Sequence, residues 1–158
     1  MTKTDHPGVR RVAEALAVAG AGGEVVELAA EVRTASAAAE QLGVRVGAIA
    51  NSLVFDADGD PLLVLTSGAH RVDTARVAAL VGVAELRRAT PEFVRAATGH
   101  PIGGVAPVGH PQPLRTLVDT ELAGYGTVWA AAGIPHTVFP TSYEELLRIT
   151  GGTPAEVG

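Results

Sequence analysis

The segment 98–113 constrains the fold of this chain more than any other stretch. Its sequence, TGHPIGGVAPVGHPQP, contains four glycines, four prolines and two histidines, with neither a helical nor a strand period. Proline fixes its own φ and disfavours the α region in the residue before it, whereas glycine permits φ > 0 and a close approach by another backbone. The composition therefore predicts a stiff, shaped loop around which the other elements are arranged.

Two interpretations of this loop remain open. The turn 103–107 could present backbone N–H groups to a carbonyl or phosphate oxygen, in an arrangement that needs little reorganisation on binding. Alternatively, the segment is a long surface connection. Long loops without secondary structure are uncommon inside compact domains and are usually functional or disordered. The apolar residues Ile102, Val105 and Val108 between the prolines argue against disorder.

Helices and strands are predicted on both sides of the loop, without a regular βαβ repeat. Two apolar runs, 52–55 and 61–66, flank the acidic turn 56–60 and predict a β-hairpin whose strands are both buried on two faces. The other predicted elements are helices over 9–18, 35–42, 73–81 and 91–98, strands near 24–28, 83–86, 114–119, 127–132 and 137–139, and a closing helix begun by a capping box of Thr141 and Glu144. We therefore expect one α/β domain over 1–158, a mixed β-sheet with helices packed around it.

Composition excludes several classes of protein. No apolar run approaches the roughly 20 residues that span a bilayer, so no membrane association is expected. The absence of cysteine excludes disulfides and thiolate chemistry and is typical of a cytoplasmic protein. A net charge of −5 argues against coating DNA or RNA indiscriminately, although a local arginine patch could hold one RNA end.

No metal or cofactor is expected either. His100 and His110 have no third residue at ligand-like spacing, and the GAGG sequence at 20–23 closes a helix, whereas a dinucleotide-binding loop opens one.

Several pieces of the chain, taken in order, resemble a known family. They are ANSLVF, PLLVLTSG, TPEFVRAATGHPIGGVAPVG, LVD and TSYEELLRITG, and the similarity runs from about Gln41 to Thr150. This set resembles the YbaK family of aminoacyl-tRNA deacylases, and it is similar to the editing domain inserted in bacterial prolyl-tRNA synthetases. Its most specific part is the G-x-x-x-P turn from Gly103 to Pro107.

The resemblance implies trans-editing, the hydrolysis of the ester that joins a wrong amino acid to the 3′ end of a tRNA of the prolyl type. It implies that the amides of Gly103, Gly104 and Val105, with Pro107, hold the terminal adenosine and the aminoacyl carbonyl. Water or a substrate hydroxyl then attacks, without an enzyme nucleophile. One methylene in a pocket discriminates by only about 1–3 kcal/mol, which explains the use of a second sieve.

One position departs from the family pattern. Family members commonly carry a lysine directly before the strand motif, and this chain has Asn51 there, with Lys3 as its only lysine. Asparagine donates hydrogen bonds but carries no charge. Two functions are therefore weighed, a deacylase that uses Asn51 and a non-catalytic binder of an aminoacyl-tRNA end or an aminoacyl-adenosine-like ligand. A third possible function is a scaffolding role in a protein complex. The chain is expected to be a monomer or a weak homodimer.

Five further residues are candidates, each with an ordinary structural alternative. His136 could orient ribose or water beside Asn51, or it is a simple turn histidine. Ser52 could contact substrate or be a strand-edge hydroxyl. His70 and Arg71, in the loop after a central strand, could reach a phosphate or be solvated. Asp119 could be a pocket acid or could cap the turn that follows its strand.

Overall fold

The computed structural model describes residues 3–29 and 34–158. The helices are α1 (Pro7–Val18), α2 (Ala35–Leu42), α3 (Thr74–Val81), α4 (Pro91–Thr98) and α5 (Tyr143–Thr150). The strands are β1 (Val26–Glu27), β2 (Ile49–Ala57), β3 (Asp60–Ser67), β4 (Leu86–Arg88), β5 (Arg115–Asp119), β6 (Val128–Ala131), β7 (Thr137–Thr141) and β8 (Thr153–Ala155). Within those described ranges, no helix is long and apolar enough to cross a membrane.

The strands form one mixed sheet in the order β1-β7-β6-β2-β3-β5-β8, with β4 pairing with β2 off this path. The pairs β2–β6, β3–β5 and β5–β8 are parallel, and the remaining pairs are antiparallel. Helices pack against the sheet, so the predicted α/β class with a mixed sheet is confirmed. Strand β8 was not predicted, because its three residues carry no alternation of apolar and polar side chains.

Side-chain alternation along β2 explains where the helices pack. Ile49 and Phe55 point to the same face of the sheet because they are an even number of residues apart. Helix α2 packs on Ile49, and α3 packs on Phe55, in two separate apolar clusters. Asn51 and Leu53 lie between them on that face, and they form the floor of a groove between α2 and α3. The opposite face is covered by α1, α5 and the loop around Val105.

The predicted hairpin is confirmed, and β2 and β3 pair from Ala50↔Ser67 to Ala57↔Asp60. Residues 62–67 of β3 are buried on both faces, as predicted. The same prediction is wrong for β2, since Leu53 is 38% exposed. The physical reason is that the middle of β2 faces the open groove between α2 and α3, and no helix covers it there.

Local capping signals decide most helix ends. Thr90 accepts a hydrogen bond from the Phe93 N–H, and α4 ends at Gly99 with φ +76°, as the sequence predicted. The predicted capping box at the last helix was wrong by one residue. Ser142 is the N-cap and accepts from Glu145 N–H, because β7 extends through Thr141 before α5 begins. Strand β4 likewise lies at 86–88, later than the predicted 83–86.

Candidate active site

A gap in the sheet lies beside the middle of β2. Strand β2 pairs with β6 only at Ile49 and Ala50 and with β4 only at 55–57. Between those two ladders, the edge of β2 from Asn51 to Val54 pairs with no other described strand. The loop residues Ile102 to Val105 lie at this gap. The unpaired N–H and C=O groups of a strand edge can form hydrogen bonds with a ligand or another chain, so the gap is a candidate binding site.

Two cavities meet at the gap and share six lining residues, Asn51, Ser52, Leu53, Ile102, Gly103 and Val105. The first, of about 550 Å³, extends to Arg71 and Arg88, and we call it the arginine cavity. The second, of about 570 Å³, extends to Trp129 and His136, and we call it the histidine cavity. Both volumes fall in the usual range for a small-molecule site.

The loop amides predicted to bind substrate differ in their availability. Gly103 is exposed with φ +88°, a conformation that favours glycine, and Val105 is buried. The N–H groups of both residues make no hydrogen bond within the described parts of the chain, and both residues line the two cavities. By contrast, the Gly104 N–H donates to the Pro101 carbonyl at 3.0 Å. The Gly104 amide, predicted to hold a substrate carbonyl, is therefore bonded within the turn in this structure.

Gly104 has a different role, since it allows close packing between the loop and the 134–136 turn. A Cβ built on Gly104 would lie 2.6 Å from Ile134 Cα and 2.8 Å from Pro135 N. Only glycine fits there without displacing one of the two backbones. This contact places Gly103 beside the turn that carries His136.

Two histidines, the buried His100 and the half-buried His110, hold the loop in place through Ala106. His100 Nδ1 accepts from the Ala106 N–H at 3.2 Å, and His110 Nε2 donates to the Ala106 carbonyl at 2.7 Å. Burial is the largest cause that lowers the pKa of His100, to about 4; electrostatic repulsion from His110 and then from Arg11 adds to it. Burial also lowers the pKa of His110, opposed by its bond to Ala106. The neutral forms of both rings therefore hold the loop at neutral pH.

Asn51 lies where the two cavities join and lines both of them. Its Cα partner across the hairpin is Thr66. The Asn51 amide makes no hydrogen bond with any described residue. The Ser52 and Thr66 hydroxyl oxygens beside it are buried, and neither has a partner among the described residues. Ser52 lines both cavities, and Thr66 lines the arginine cavity.

His70 and Asp119 form a pair at the wall of the arginine cavity. Asp119 is fully buried, and its Oδ2 accepts from the Ser67 N–H at 3.0 Å and lies 2.9 Å from His70 Nδ1. Its Oδ1 accepts from the Glu121 N–H, which is the predicted capping of the following turn. Asp119 lines neither cavity, so its position supports the capping alternative over direct contact with substrate. It acts by holding His70 at the cavity wall.

The remaining predicted residues fall in different places. His136 has φ +68°, accepts from the Leu28 N–H through its carbonyl, and lines the histidine cavity. Arg71 lines the arginine cavity. Pro107 is buried and lines a separate cavity of about 240 Å³ behind the loop, so it supports the turn without facing the site. The structure thus brings together seven predicted residues, Gly103, Val105, Asn51, Ser52, His136, His70 and Arg71.

Sequence reasoning missed Thr66 and Arg88. Thr66 reads as part of an apolar strand, and nothing local marks it as lining a cavity. Arg88 reaches the site because Phe55 and Arg88 are Cα partners across β2 and β4. A three-residue strand carries too short a pattern to reveal that pairing.

The model of the aminoacyl-tRNA editing domain family matches residues 29–149. A crystal structure of a candidate trans-editing enzyme for prolyl tRNA synthetase superposes with a TM-score of 0.91 and 47% identity, covering 96% of this chain and 97% of that one. The uncharacterised Bacillus subtilis protein YwhH is 32% identical over 124 residues, 78% of each chain.

A proline–tRNA ligase from Nitratidesulfovibrio vulgaris is 40% identical over 83 residues, 52% of this chain and 14% of the ligase. The match therefore spans about one seventh of that ligase.

Proposed function

Because the chain belongs to the aminoacyl-tRNA editing domain family, we propose that it is a cytoplasmic trans-editing deacylase, which hydrolyses the ester between a wrong amino acid and a tRNA charged by prolyl-tRNA synthetase. The observation that carries the proposal is the junction of the two cavities. There, the free amides of Gly103 and Val105 lie beside Asn51, the side chain that joins both cavities. An ester with a large nucleotide on one side and an amino acid on the other fits a junction of this kind.

The proposed mechanism uses preorganised hydrogen-bond donors. The N–H groups of Gly103 and Val105 bind the aminoacyl carbonyl oxygen and stabilise the negative charge that develops there when the carbonyl carbon is attacked. Asn51 and His136 orient the attacking water or the ribose. The water oxygen bonds to the carbonyl carbon, the ester C–O bond breaks, and the ribose oxygen leaves with a proton. Removal of one donor of this type lowers kcat by about 10²–10³ in other enzymes.

The test is deacylation of tRNA of the prolyl type charged with alanine, cysteine, serine or proline, with wild type and Asn51→Ala. We expect release of at least one wrong amino acid by wild type and a loss of about 10² in kcat/KM for Asn51→Ala, with little change in Tm. Gln112→Ala is the matched control, because it removes an exposed amide that lines neither cavity at the gap. If wild type releases nothing above the uncatalysed rate, the deacylase proposal is wrong.

The second candidate function is a non-catalytic binder of the same tRNA end, favoured by the uncharged Asn51 at the centre of the site. Asn51→Lys separates the two. If wild type is a binder, it should leave charged tRNA intact, and Asn51→Lys should gain hydrolysis. If wild type is an enzyme adapted to asparagine, Asn51→Lys should lose activity or change its preferred amino acid.

A further inference from the structure

The side chains of fixed charge that line the two cavities are arginines. The chain carries 17 acidic residues against 12 basic ones. Even so, the described residues that line the two cavities include Arg71 and Arg88 and no aspartate or glutamate; the Asp119 and Glu121 carboxylates outside the lining are engaged by His70, at 2.9 Å and 3.8 Å. In a protein of net charge −5 this is a local reversal of sign, and such a reversal attracts an anionic ligand.

The two arginines of the arginine cavity are also unpaired. Arg71 and Arg88 are exposed, and within the described ranges neither guanidinium makes an ion pair or a hydrogen bond. The neighbouring Arg87 is different, because its guanidinium binds the Glu85 carboxylate at 3.1 Å and 3.2 Å. A guanidinium without a protein partner at the wall of a cavity is suited to bind a phosphate through paired N–H donors.

We propose that Arg71 and Arg88 bind the backbone phosphates of a single-stranded RNA 3′ end, so that the nucleic acid enters the site through the arginine cavity. This inference rests on the proposed function for the identity of the RNA, but its evidence is the charge of this one cavity. Both arginines line the arginine cavity, Arg71 from the loop after β3 and Arg88 from β4. Gly103 lines the same cavity, so a strand whose phosphates are held there can place its terminal ribose at the junction.

The test measures binding of a short, fluorescently labelled single-stranded RNA that ends in CCA, at several salt concentrations. Each phosphate contact on a single strand contributes about 0.7 to the slope of log K against log salt. For Arg71→Ala/Arg88→Ala we expect roughly tenfold weaker binding at about 0.1 M salt and a slope that is shallower by about 1.4. Arg87→Ala removes one positive charge from the position next to Arg88, outside the cavity, and should change the affinity by less than about twofold.

A second substrate separates phosphate binding from damage to the site. The seryl ester of adenosine has no phosphate, so the double variant should lose about tenfold less activity on this ester than on charged tRNA. Equal loss on this ester and on charged tRNA would overturn the inference, as would a double variant that binds RNA like Arg87→Ala, or a wild type that does not bind RNA. Arginine-dependent RNA binding without hydrolysis of either ester would support the inference and refute the deacylase proposal. Hydrolysis that is insensitive to both arginines would do the reverse.

Discussion

The packing of Gly104 against the 134–136 turn gives the sharpest prediction, the effect of Gly104→Ala. The new Cβ would lie 2.6 Å from Ile134 Cα, and ordinary van der Waals contact begins near 3.4 Å, so the two backbones must separate by about 0.8 Å. Displacements of about 1 Å in a catalytic constellation cost on the order of 10² in rate. We therefore expect kcat/KM for deacylation of a mischarged tRNA to fall about 10²-fold, because Gly103 moves away from His136.

Stability should respond far less than activity. Overpacking costs about 1–3 kcal/mol, which for a chain of this length lowers Tm by roughly 3–10 °C. The variant therefore remains folded at 25 °C, where activity is measured. Gly126→Ala is the matched control, because Gly126 is exposed and a Cβ there meets nothing within 4 Å. If Gly104→Ala keeps its activity within threefold of wild type while its Tm falls, the position of the loop does not govern catalysis.

Four further variants concern stability. His100 has a pKa of about 4 when folded and near 6.5 when unfolded, so between these values the unfolded chain binds the extra proton and stability falls as the pH is lowered. Denaturant unfolding should show that His100→Asn removes about 3 kcal/mol of the stability lost between pH 6.5 and 4. Thr66→Val should raise the free energy of unfolding by about 1 kcal/mol, because the hydroxyl is buried without a described partner. Thr98→Val should lower the free energy of unfolding by about 1–3 kcal/mol, because the Thr98 hydroxyl donates to the Val94 carbonyl and accepts from the His100 N–H. Equal effects of Thr66→Val and Thr98→Val would contradict the distinction between an unpartnered and a bonded hydroxyl. Asp119→Asn should cost about 1–3 kcal/mol in the same assay and release His70 from the cavity wall, visible as a changed ring resonance in NMR spectra; an unchanged resonance would argue against the positioning role.

The helices and the hairpin were set by local sequence. Thr90, Pro91 and Gly99 define α4 through capping groups and backbone angles that act within a few residues. The hairpin follows from two apolar runs around a turn in which the Asp56 carboxylate accepts from the Gly59 N–H. The shape of the loop could also be predicted from sequence, because proline restricts the backbone angles and glycine widens their range wherever these residues occur.

Only part of the candidate site could be predicted from the sequence. Sequence placed Asn51, Gly103 and His136 in it, through their resemblance to a family pattern. It could not show that the Gly104 amide is bonded within the turn or that Asp119 faces inward. These facts depend on which groups meet after the chain has folded.

The gap beside β2 exists only because two short ladders with β6 and β4 stop on either side of Asn51–Val54. Arg88 enters the site through a three-residue strand whose pairing is long-range and carries no local signal. Backbone angles and caps act over a few residues and can be read along the chain. A cavity and its charge arise from contacts between distant residues, and only the tertiary structure decides them.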